Sequence, residues 1–408
     1  MLYTRERMQR RASYLVFGQP RIEEPEIEEV VATLRSGWLG TGPKAAELER
    51  RFAAYCQVPD AVAVSSCTAA LHLSLQAIGA GPGRAVITTP FTFAATLNAI
   101  LHTGARPILI DIEQRSMNID VAAIAALLES CLVDPGSGRP RDPVTGLEIV
   151  GIVPVHFAGR PCEMDGIETL AQRYRLAVIE DAAHAIEAWY HGRKIGGIGD
   201  FGCFSFYATK SMTTGEGGMI TVRSTEQAQL LRALALQGLS RDAWARSGET
   251  NRDYRVIAPG FKYNLTDIAA SIGLHQLKRL DTSLARRTEV WRRYDEAFRD
   301  LPVELPMPPE PDTVHARHLY TLLIDRQHAG IDRDQFRQQL HDWGIGTGVH
   351  FVSLHLHDFY RGYFGCRPED FPAALHVSER TVSLPLTAYL SDEDVADVIE
   401  ATRTLLAR

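Results

Sequence analysis

The chain has 408 residues and a formal net charge of −7, with 45% hydrophobic and 23% charged residues. This length predicts two domains that share an interface. The acidic balance argues against nucleic-acid binding, and no apolar run reaches the roughly 20 residues of a membrane helix. Because the basic N-terminus also lacks an apolar signal core, we expect a cytoplasmic protein with no nucleic-acid or membrane partner.

The six cysteines are scattered along the sequence, and none forms a C-x-x-C pair. Zinc knuckles and redox motifs usually need such a pair. The sequence therefore predicts no metal site, and it predicts reduced, mostly buried thiols.

Short apolar runs alternate with helical stretches over the first two thirds of the chain. The predicted strands are Ala61–Val64, Ala85–Thr88, Pro107–Ile110, Ile149–Val155, Ala177–Ile179, Cys203–Phe206 and Met219–Val222. The predicted helices between them include Thr68–Ile78, Ala94–Leu101 and Ile167–Tyr174. Short apolar strands that alternate with helices are typical of an α/β fold with a mostly parallel sheet covered on both faces.

The second half of the chain predicts a change of architecture. A segment rich in Gly and Pro, 134–146, is predicted to be an exposed loop. A long helix is predicted over Thr266–Phe298, and the proline-rich stretch 301–311 follows it. We therefore predict a large domain over 1–258, and an interdomain helix with a small C-terminal α+β domain over 259–408.

A lysine stands just beyond one predicted strand, and a glycine-rich turn, 215–218, follows it. At such a place Lys210 would be reachable and partly desolvated, so that its amine could lose a proton near neutral pH and form a Schiff base. Ser205, five residues earlier, could donate its hydroxyl group to a phosphate. Taken alone, this pattern also fits a solvated surface lysine.

The predicted strand before residue 180 ends in an acidic pair, at the edge of the sheet where ligand crevices lie. Asp181 there could keep the ring nitrogen of pyridoxal 5'-phosphate (PLP) protonated, which makes the ring an electron sink. A carboxylate about 4 Å from a pyridinium contributes roughly 4 kcal/mol at an effective dielectric constant of about 20, equivalent to about three pK units. The alternative is that Asp181 caps the next helix.

Two further segments come directly after strands. In the first, Ser66, Cys67 and Thr68 open a helix whose free N–H groups could bind a phosphate, although a simple helix cap is the alternative. In the second, Phe93 could stack on a pyridine ring or belong to the core. A phosphate turn, an aromatic residue, a carboxylate, a serine and a lysine thus each follow a strand of one predicted sheet, which coincidence explains poorly.

With these motifs in place, nearly the whole sequence resembles the DegT/StrS-type sugar aminotransferases, which are fold-type-I PLP enzymes. The matching motifs, in family order, are SGWLGTGPK (36–44), SSCTAALHL (65–73), TTPFTFAATLNAI (88–100), PVHFAGRPCEMDGI (154–167), VIEDAAHA (178–185), GDFGCFSFYATKSMTTGEGG (199–218), PGFKYNLTDIAASIGLHQL (259–277) and GIGTGVHF (344–351). The resemblance implies a mostly parallel sheet in a large three-layer domain, with a small C-terminal α+β domain.

The resemblance also implies roles for individual residues. Lys210 and Asp181 match the catalytic pair, and His184 matches a residue near the phenolic oxygen of PLP. Asn264 matches an asparagine that reaches the phosphate from a neighbouring subunit, which implies a homodimer with shared active sites. The implied cofactor-binding set is Ser66, Cys67, Thr68, Phe93, Asp181, His184, Ser205, Lys210 and Asn264. The implied substrate-binding set is Trp38, Leu39, Gly40, Thr41, His318, His350 and Phe351.

The resemblance is greatest to enzymes that aminate C4 of UDP-linked keto sugars. It implies transamination of a nucleotide-linked keto sugar with L-glutamate, which yields an amino sugar and 2-oxoglutarate. A keto-cyclitol or a 3-keto sugar stays open as the acceptor, and the pathway could make a surface polysaccharide such as lipopolysaccharide or an antibiotic. A non-catalytic regulator is a further alternative, against which the intact set of Lys210, Asp181 and Asn264 argues.

Overall fold

A computed structural model describes residues 11–240 and 255–407 of the chain. The strands are β1 (Asp60–Val64), β2 (Arg84–Thr88), β3 (Arg106–Leu109), β4 (Leu132–Val133), β5 (Pro140–Arg141), β6 (Glu148–Ile152), β7 (Ala177–Asp181), β8 (Trp189–Tyr190), β9 (Arg193–Lys194), β10 (Phe201–Ser205), β11 (Gly218–Val222), β12 (Val303–Glu304), β13 (Thr313–Val314), β14 (Tyr320–Ile324) and β15 (Thr381–Leu384). The α-helices are α1 (Glu24–Ser36), α2 (Pro43–Cys56), α3 (Cys67–Ala77), α4 (Ala94–His102), α5 (Val121–Ser130), α6 (Met164–Tyr174), α7 (Thr225–Ala235), α8 (Asp267–Lys278), α9 (Leu280–Phe298), α10 (Arg326–Ala329), α11 (Arg333–Asp342), α12 (Asp358–Phe364), α13 (Pro372–Arg380) and α14 (Asp392–Leu406).

The main sheet has the strand order β1-β11-β10-β7-β6-β2-β3. The pairs from β10 to β3 are parallel, whereas β11 pairs antiparallel with both β1 and β10. Helices follow β2, β3 and β6, as crossover connections between parallel strands usually require. The predicted α/β fold with a mostly parallel sheet is confirmed.

Both faces of this sheet are buried. Because successive side chains of a strand point to opposite sides, each strand contributes to two cores. In β1, Ala61 and Ala63 join one apolar core with α2, α6 and α8. Val62 and Val64 join a second core on the other face with α3 and α7. The sheet is therefore the middle of three layers, which explains why the central positions of its strands are mostly apolar.

Two sequence predictions need correction. The helix predicted over 266–298 is two helices, α8 and α9, which meet at Arg279; the N–H group of this residue bonds to the carbonyl of Gln276, three residues back, at 3.0 Å. Its side chain pairs with Glu23, the N-cap residue of α1, and with Glu26 of α1, two distant ion-pair partners that helical periodicity does not reveal.

The segment 134–146 is not a continuous loop. Its residues Pro140 and Arg141 form β5, which pairs with β4 and with the start of β6. The carboxylates of Asp134 and Asp142 each accept hydrogen bonds from backbone N–H groups two and three residues ahead. Two aspartate-capped turns, which the Gly and Pro content conceals, therefore replace the predicted loop.

A smaller three-stranded sheet, β12-β14-β15, forms a separate apolar core with α9, α11 and α14. The segment 11–21, here called the N-terminal strap, begins on this unit: Leu15 bonds with Gly344 and Gly346, and the Arg11 guanidinium pairs with Asp394 and Asp397. The predicted boundary at 258/259 stays a prediction. None of the helices that the structure describes is both long and apolar enough to cross a membrane.

Candidate active site

The candidate site lies where the parallel strands end, as ligand crevices do in open α/β sheets. Asp181 is the last residue of β7 and is buried. Its Oδ2 accepts a hydrogen bond of 2.8 Å from the Thr96 hydroxyl group, and its Oδ1 accepts one of 3.3 Å from the Ala183 N–H. The bond to Thr96, in addition to the turn at Ala183, shows that the carboxylate does more than cap a turn.

Burial raises the pKa of Asp181, although Thr96, Ala183 and the charge of Lys210 oppose this effect. A buried carboxylate that is only partly compensated stabilises a cation next to it. The predicted role of Asp181, which is to hold a proton on a pyridine nitrogen, fits this environment.

Lys210 follows β10 in a turn in which its N–H group bonds to the carbonyl of Tyr207 at 2.9 Å. The side chain is partly buried, and desolvation lowers the pKa of its amine to about 8, although the charges of Cys67 and Asp181 oppose the shift. The free amine is therefore accessible near neutral pH, which a surface lysine does not offer. This environment contradicts the alternative of a solvated lysine.

The start of α3 provides a place for a phosphate. The Ser66 hydroxyl group accepts from the Ala69 N–H at 3.1 Å, so Ser66 is a helix cap. No hydrogen bond within the described chain uses the N–H groups of Cys67 and Thr68, which point along the positive end of the helix dipole. The same turn can therefore serve both purposes: Ser66 caps the helix, and the N–H groups of Cys67 and Thr68 stay available for a phosphate.

Gly218 brings the glycine-rich turn against this helix start. A Cβ atom placed there would lie 2.6 Å from the carbonyl carbon of Ser66 and 2.7 Å from the nitrogen of Cys67. Ser205 is the cross-strand partner of Gly218, which places it beside the same turn. The sequence motif that contains Lys210 thus also closes one side of the phosphate turn.

An exposed aromatic residue stands at the start of α4, the helix that carries Thr96. Phe93 caps α4 and leaves 66% of its surface exposed, although it is a large apolar residue. Its ring centroid lies 6.3 Å from that of Phe351, which in turn lies 6.0 Å from that of His184 at an interplanar angle of 18°. The exposed face of Phe93 is suited to stack on a flat ring.

Three histidines lie close enough to Lys210 for its charge to affect them. His184 and His318 have ring centroids 4.4 Å apart. Burial lowers the pKa values of His184, His318 and His350, and the charge of Lys210 lowers each of them further. The Nδ1 of His184 accepts from the Ala158 N–H at 3.2 Å, so its Nε2 carries the ring proton in the neutral form.

A second group of predicted site residues lies along the edge of the sheet. Asn264 forms a bridge with Val64, and its amide donates to the Thr41 hydroxyl group at 2.6 Å. The indole N–H of Trp38 bonds to the carbonyl of Thr41 at 3.2 Å. Within the described residues, no hydrogen bond joins this group to Lys210, and Leu39 is exposed.

The structure brings three functional features to the site that the sequence analysis missed. Thr96 is one; its place three residues after Phe93 at a helix start was the available signal. The second is Ser383, and the third is the N-terminal strap, of which Gly18 to Arg21 line a cavity of about 50 Å³ with Lys210 and His318. The last two come from distant parts of the chain and carry no local signal.

The donor set suits PLP. An accessible amine, a buried carboxylate, free N–H groups at a helix start and an exposed aromatic face match the aldehyde, ring nitrogen, phosphate and ring of that molecule. No cluster of three His, Cys, Asp or Glu side chains in the described ranges is placed to hold a metal ion.

Comparisons with known proteins relate the chain to aminotransferases. The model of the DegT/DnrJ/EryC1/StrS aminotransferase family matches residues 20–403. The chain is 45% identical over 401 residues to the spore coat polysaccharide biosynthesis protein SpsC of Bacillus subtilis, covering 98% of this chain and 99% of SpsC.

Two solved structures extend the comparison. Spr1654 from Streptococcus pneumoniae, described as a sugar aminotransferase and solved in a PLP-form, superposes with a TM-score of 0.85 at 33% identity, covering 96% of this chain and 98% of Spr1654. The aminotransferase TlmJ from Streptoalloteichus hindustanus gives a TM-score of 0.83 at 33% identity, with 97% and 99% of the two chains covered.

Proposed function

Because this chain belongs to the DegT/DnrJ/EryC1/StrS aminotransferase family, a family of PLP enzymes, we propose that it transfers the amino group of L-glutamate to a nucleotide-linked 4-keto sugar. Transamination of a keto sugar is the activity to which its relatives point. The nucleotide, the keto position and the donor are the parts that we propose.

One observation carries the catalytic part of this proposal. A partly buried lysine with a pKa of about 8 lies near enough to a buried carboxylate for each charge to affect the other, and both residues follow or end neighbouring parallel strands. We assign Lys210 as the residue that anchors the cofactor and moves protons, and Asp181 as the partner of the ring nitrogen.

When bound, PLP supplies an aldehyde that accepts amino groups and a ring that delocalises the electrons released at the reacting carbon. Asp181 keeps a proton on the ring nitrogen, and Thr96 fixes the carboxylate for this task. Lys210, as the free amine, would remove the proton from the Cα of the amino donor and deliver it to the aldehyde carbon of the cofactor, on the other side of the amino nitrogen. The N–H groups of Cys67 and Thr68, with Ser205, hold the phosphate.

A sugar as the acceptor is supported by the relatives, and the finer choice rests on sequence resemblance. The motifs 36–44 and 344–351 resemble the substrate-contacting segments of the family, and the chain as a whole resembles enzymes that act at C4 of UDP-linked keto sugars. SpsC takes its name from polysaccharide biosynthesis, which supports a surface polysaccharide as the destination of the product.

The site residue assignment is tested by reduction of the holoenzyme with borohydride, followed by peptide mapping. We expect the cofactor on Lys210, and a label on another lysine would overturn the assignment. The acceptor is tested with UDP-linked 4-keto sugars, 3-keto sugars and a keto-inositol, with 2-oxoglutarate as the readout. Preferential amination of the 3-keto sugar or of the keto-inositol would overturn the 4-keto proposal.

We also propose a homodimer in which Asn264 completes the site of the partner subunit. Within the described residues its side-chain amide bonds to Thr41 and Lys262 and to no residue of the phosphate turn, which supports this arrangement. Mixed dimers of the Lys210→Ala and Asn264→Ala variants provide the test, because one of their two sites would contain both native residues. We expect activity to return on mixing, and two inactive variants that stay inactive as verified mixed dimers would contradict the proposal.

A further inference from the structure

His350 lies in a recess between β15 of the smaller sheet and Phe17 of the N-terminal strap. Its Nδ1 is 2.8 Å from the hydroxyl oxygen of Ser383 in β15, and its backbone carbonyl accepts from the Thr381 hydroxyl group at 3.1 Å. The ring of Phe17, from the strap, lies with its centroid 5.6 Å from that of His350. Two hydroxyl groups of one strand therefore hold the backbone and the ring of the same residue.

The glycine at 348 makes room for this ring. A Cβ atom at Gly348 would lie 2.5 Å from Cε1 and 3.1 Å from Nδ1 of His350. Gly348 and Ser383 also exchange two backbone hydrogen bonds, of 3.0 and 2.9 Å. The position of the ring relative to β15 is thus set by the backbone as well as by the serine.

The direction of the proton between Ser383 and His350 follows from hydrogen-bond accounting. Ser383 is fully buried, and Nδ1 of His350 is the one partner of its hydroxyl group among the described residues. If Nδ1–H were the donor, the hydroxyl hydrogen would be left buried without an acceptor, at a cost of about 1–3 kcal/mol. If the hydroxyl group donates, that cost vanishes and the ring proton must be on Nε2.

The Nε2 of His350 has no hydrogen-bond partner in the described part of the chain, and the ring lies close enough to Lys210 to be influenced by its charge. An unused donor in this position can serve a ligand in the site. Oxygen atoms of hydroxyl, carbonyl and phosphate groups are the acceptors that a sugar nucleotide offers.

We propose that Ser383 is a positioning residue that fixes His350 in the Nε2–H form, so that the ring donates a hydrogen bond to an oxygen atom of the acceptor substrate. The inference rests on the proposed function for the identity of that substrate. The tautomer itself is a property of the protein, and it is measured without any sugar.

The first arm of the test is nitrogen NMR of the holoenzyme labelled with ¹⁵N-histidine, with His350→Gln to assign the signal. We expect Nδ1 of His350 in the unprotonated range and Nε2 in the protonated range. In Ser383→Ala this preference is lost, and in Ser383→Thr, which keeps the hydroxyl group, it is retained. A protonated Nδ1 in the native enzyme would overturn the proposal.

The second arm is kinetic, with a UDP-linked 4-keto sugar as the probe. Ser383→Ala is expected to raise KM for the sugar by about tenfold, with a smaller change in kcat and an unchanged half-reaction with L-glutamate. Gly348→Ala, which displaces the same ring, is expected to act alike. Thr402→Val, which removes a buried hydroxyl group of α14 without a partner, is the matched control and is expected to leave all constants unchanged.

The two arms separate the possible failures. If the native enzyme does not aminate the probe but shows the Nε2–H form, the proposed acceptor is wrong and the assignment of Ser383 stands. If the probe is aminated and Ser383→Ala leaves KM for the sugar unchanged, the role of Ser383 is overturned.

Discussion

Thr96 donates a hydrogen bond of 2.8 Å to the carboxylate of Asp181, and Thr92 lies 2.8 Å behind it, hydroxyl to hydroxyl. The two threonines form a short relay that begins in the turn before α4 and ends on a buried anion. Thr96 bonds directly to the charged group, so it should stabilise the carboxylate most. Thr92 acts only by polarising the hydroxyl group of Thr96, so its effect should be smaller.

Replacing Thr96 with valine is expected to lower kcat roughly tenfold, because a hydrogen bond to a charged group contributes about 1.5–3 kcal/mol. Thr96 lowers the pKa of Asp181, so its loss raises that pKa further, and the acid limb of the kcat profile moves to higher pH. Thr92→Val, one step removed, should show the same changes at smaller amplitude. A Thr92 variant more impaired than the Thr96 variant would contradict the relay.

Loading of the apo-enzyme with PLP is expected to follow the free amine of Lys210. Burial lowers the pKa of this lysine to about 8, so the reactive amine predominates above that pH. The initial rate of appearance of the visible cofactor band, measured against pH, should rise with a midpoint near 8. A midpoint near 10.5, the ordinary value for lysine, would show that the amine is solvated before the cofactor enters.

Gly218→Ala is expected to weaken cofactor binding about tenfold or more, because the added methyl group meets backbone atoms that cannot move aside. The methyl group would contact the backbone of Ser66 and Cys67, so the variant should lose affinity for the phosphate group of PLP. Equilibrium titration of the apo-protein with PLP measures it. Gly362→Ala, at a glycine of α12 with open space around it, is the control, and equal affinities for both variants would refute the packing argument.

The adjacent acids Glu180 and Asp181 are expected to affect stability in opposite directions. The Glu180 carboxylate accepts from the N–H groups of Gly196 at 2.9 Å, Ile198 at 2.9 Å and Gly199 at 2.6 Å. Burial raises the pKa of Glu180, but these bonds and His156 outweigh it and lower the pKa overall, whereas burial raises that of Asp181.

Glu180→Gln should therefore lower the free energy of unfolding of the apo-protein by about 2 kcal/mol at pH 7. A depressed carboxyl pKa stabilises the fold above the unfolded value of 4.5, and this contribution is lost as the pH falls below it, so the deficit should shrink in acid. Asp181→Asn should raise the free energy of unfolding at pH 7, because it removes a poorly compensated buried charge. Urea unfolding of both variants at pH 7 and at a pH below 4.5 measures these changes in the free energy of unfolding. Equal changes for the two variants would refute the distinction between Glu180 and Asp181.

Sequence reasoning reached most of the sheet, because both faces of each strand are buried and apolar runs mark them directly. It also predicted Lys210, Asp181 and the phosphate turn at 66–68, which follow strands of one sheet, and it placed the helix after this turn within one residue of its observed bounds. It missed the break at Arg279, the paired strand at Pro140 and the recess around His350. Each of these depends on partners far away in sequence, about which local periodicity carries no information.

The strap and the edge strand have a consequence for biosynthesis. Val62 in β1 pairs with Ile220 of β11, and Arg11 pairs with Asp397. During synthesis β1 and the strap therefore stay unpaired until β11 and Asp397, respectively, have left the ribosome. Contacts between residues so far apart in sequence slow folding. The apolar strand β1 thus stays unpaired until the residues up to Ile220 have been made, and the demand for chaperones should rise with this delay.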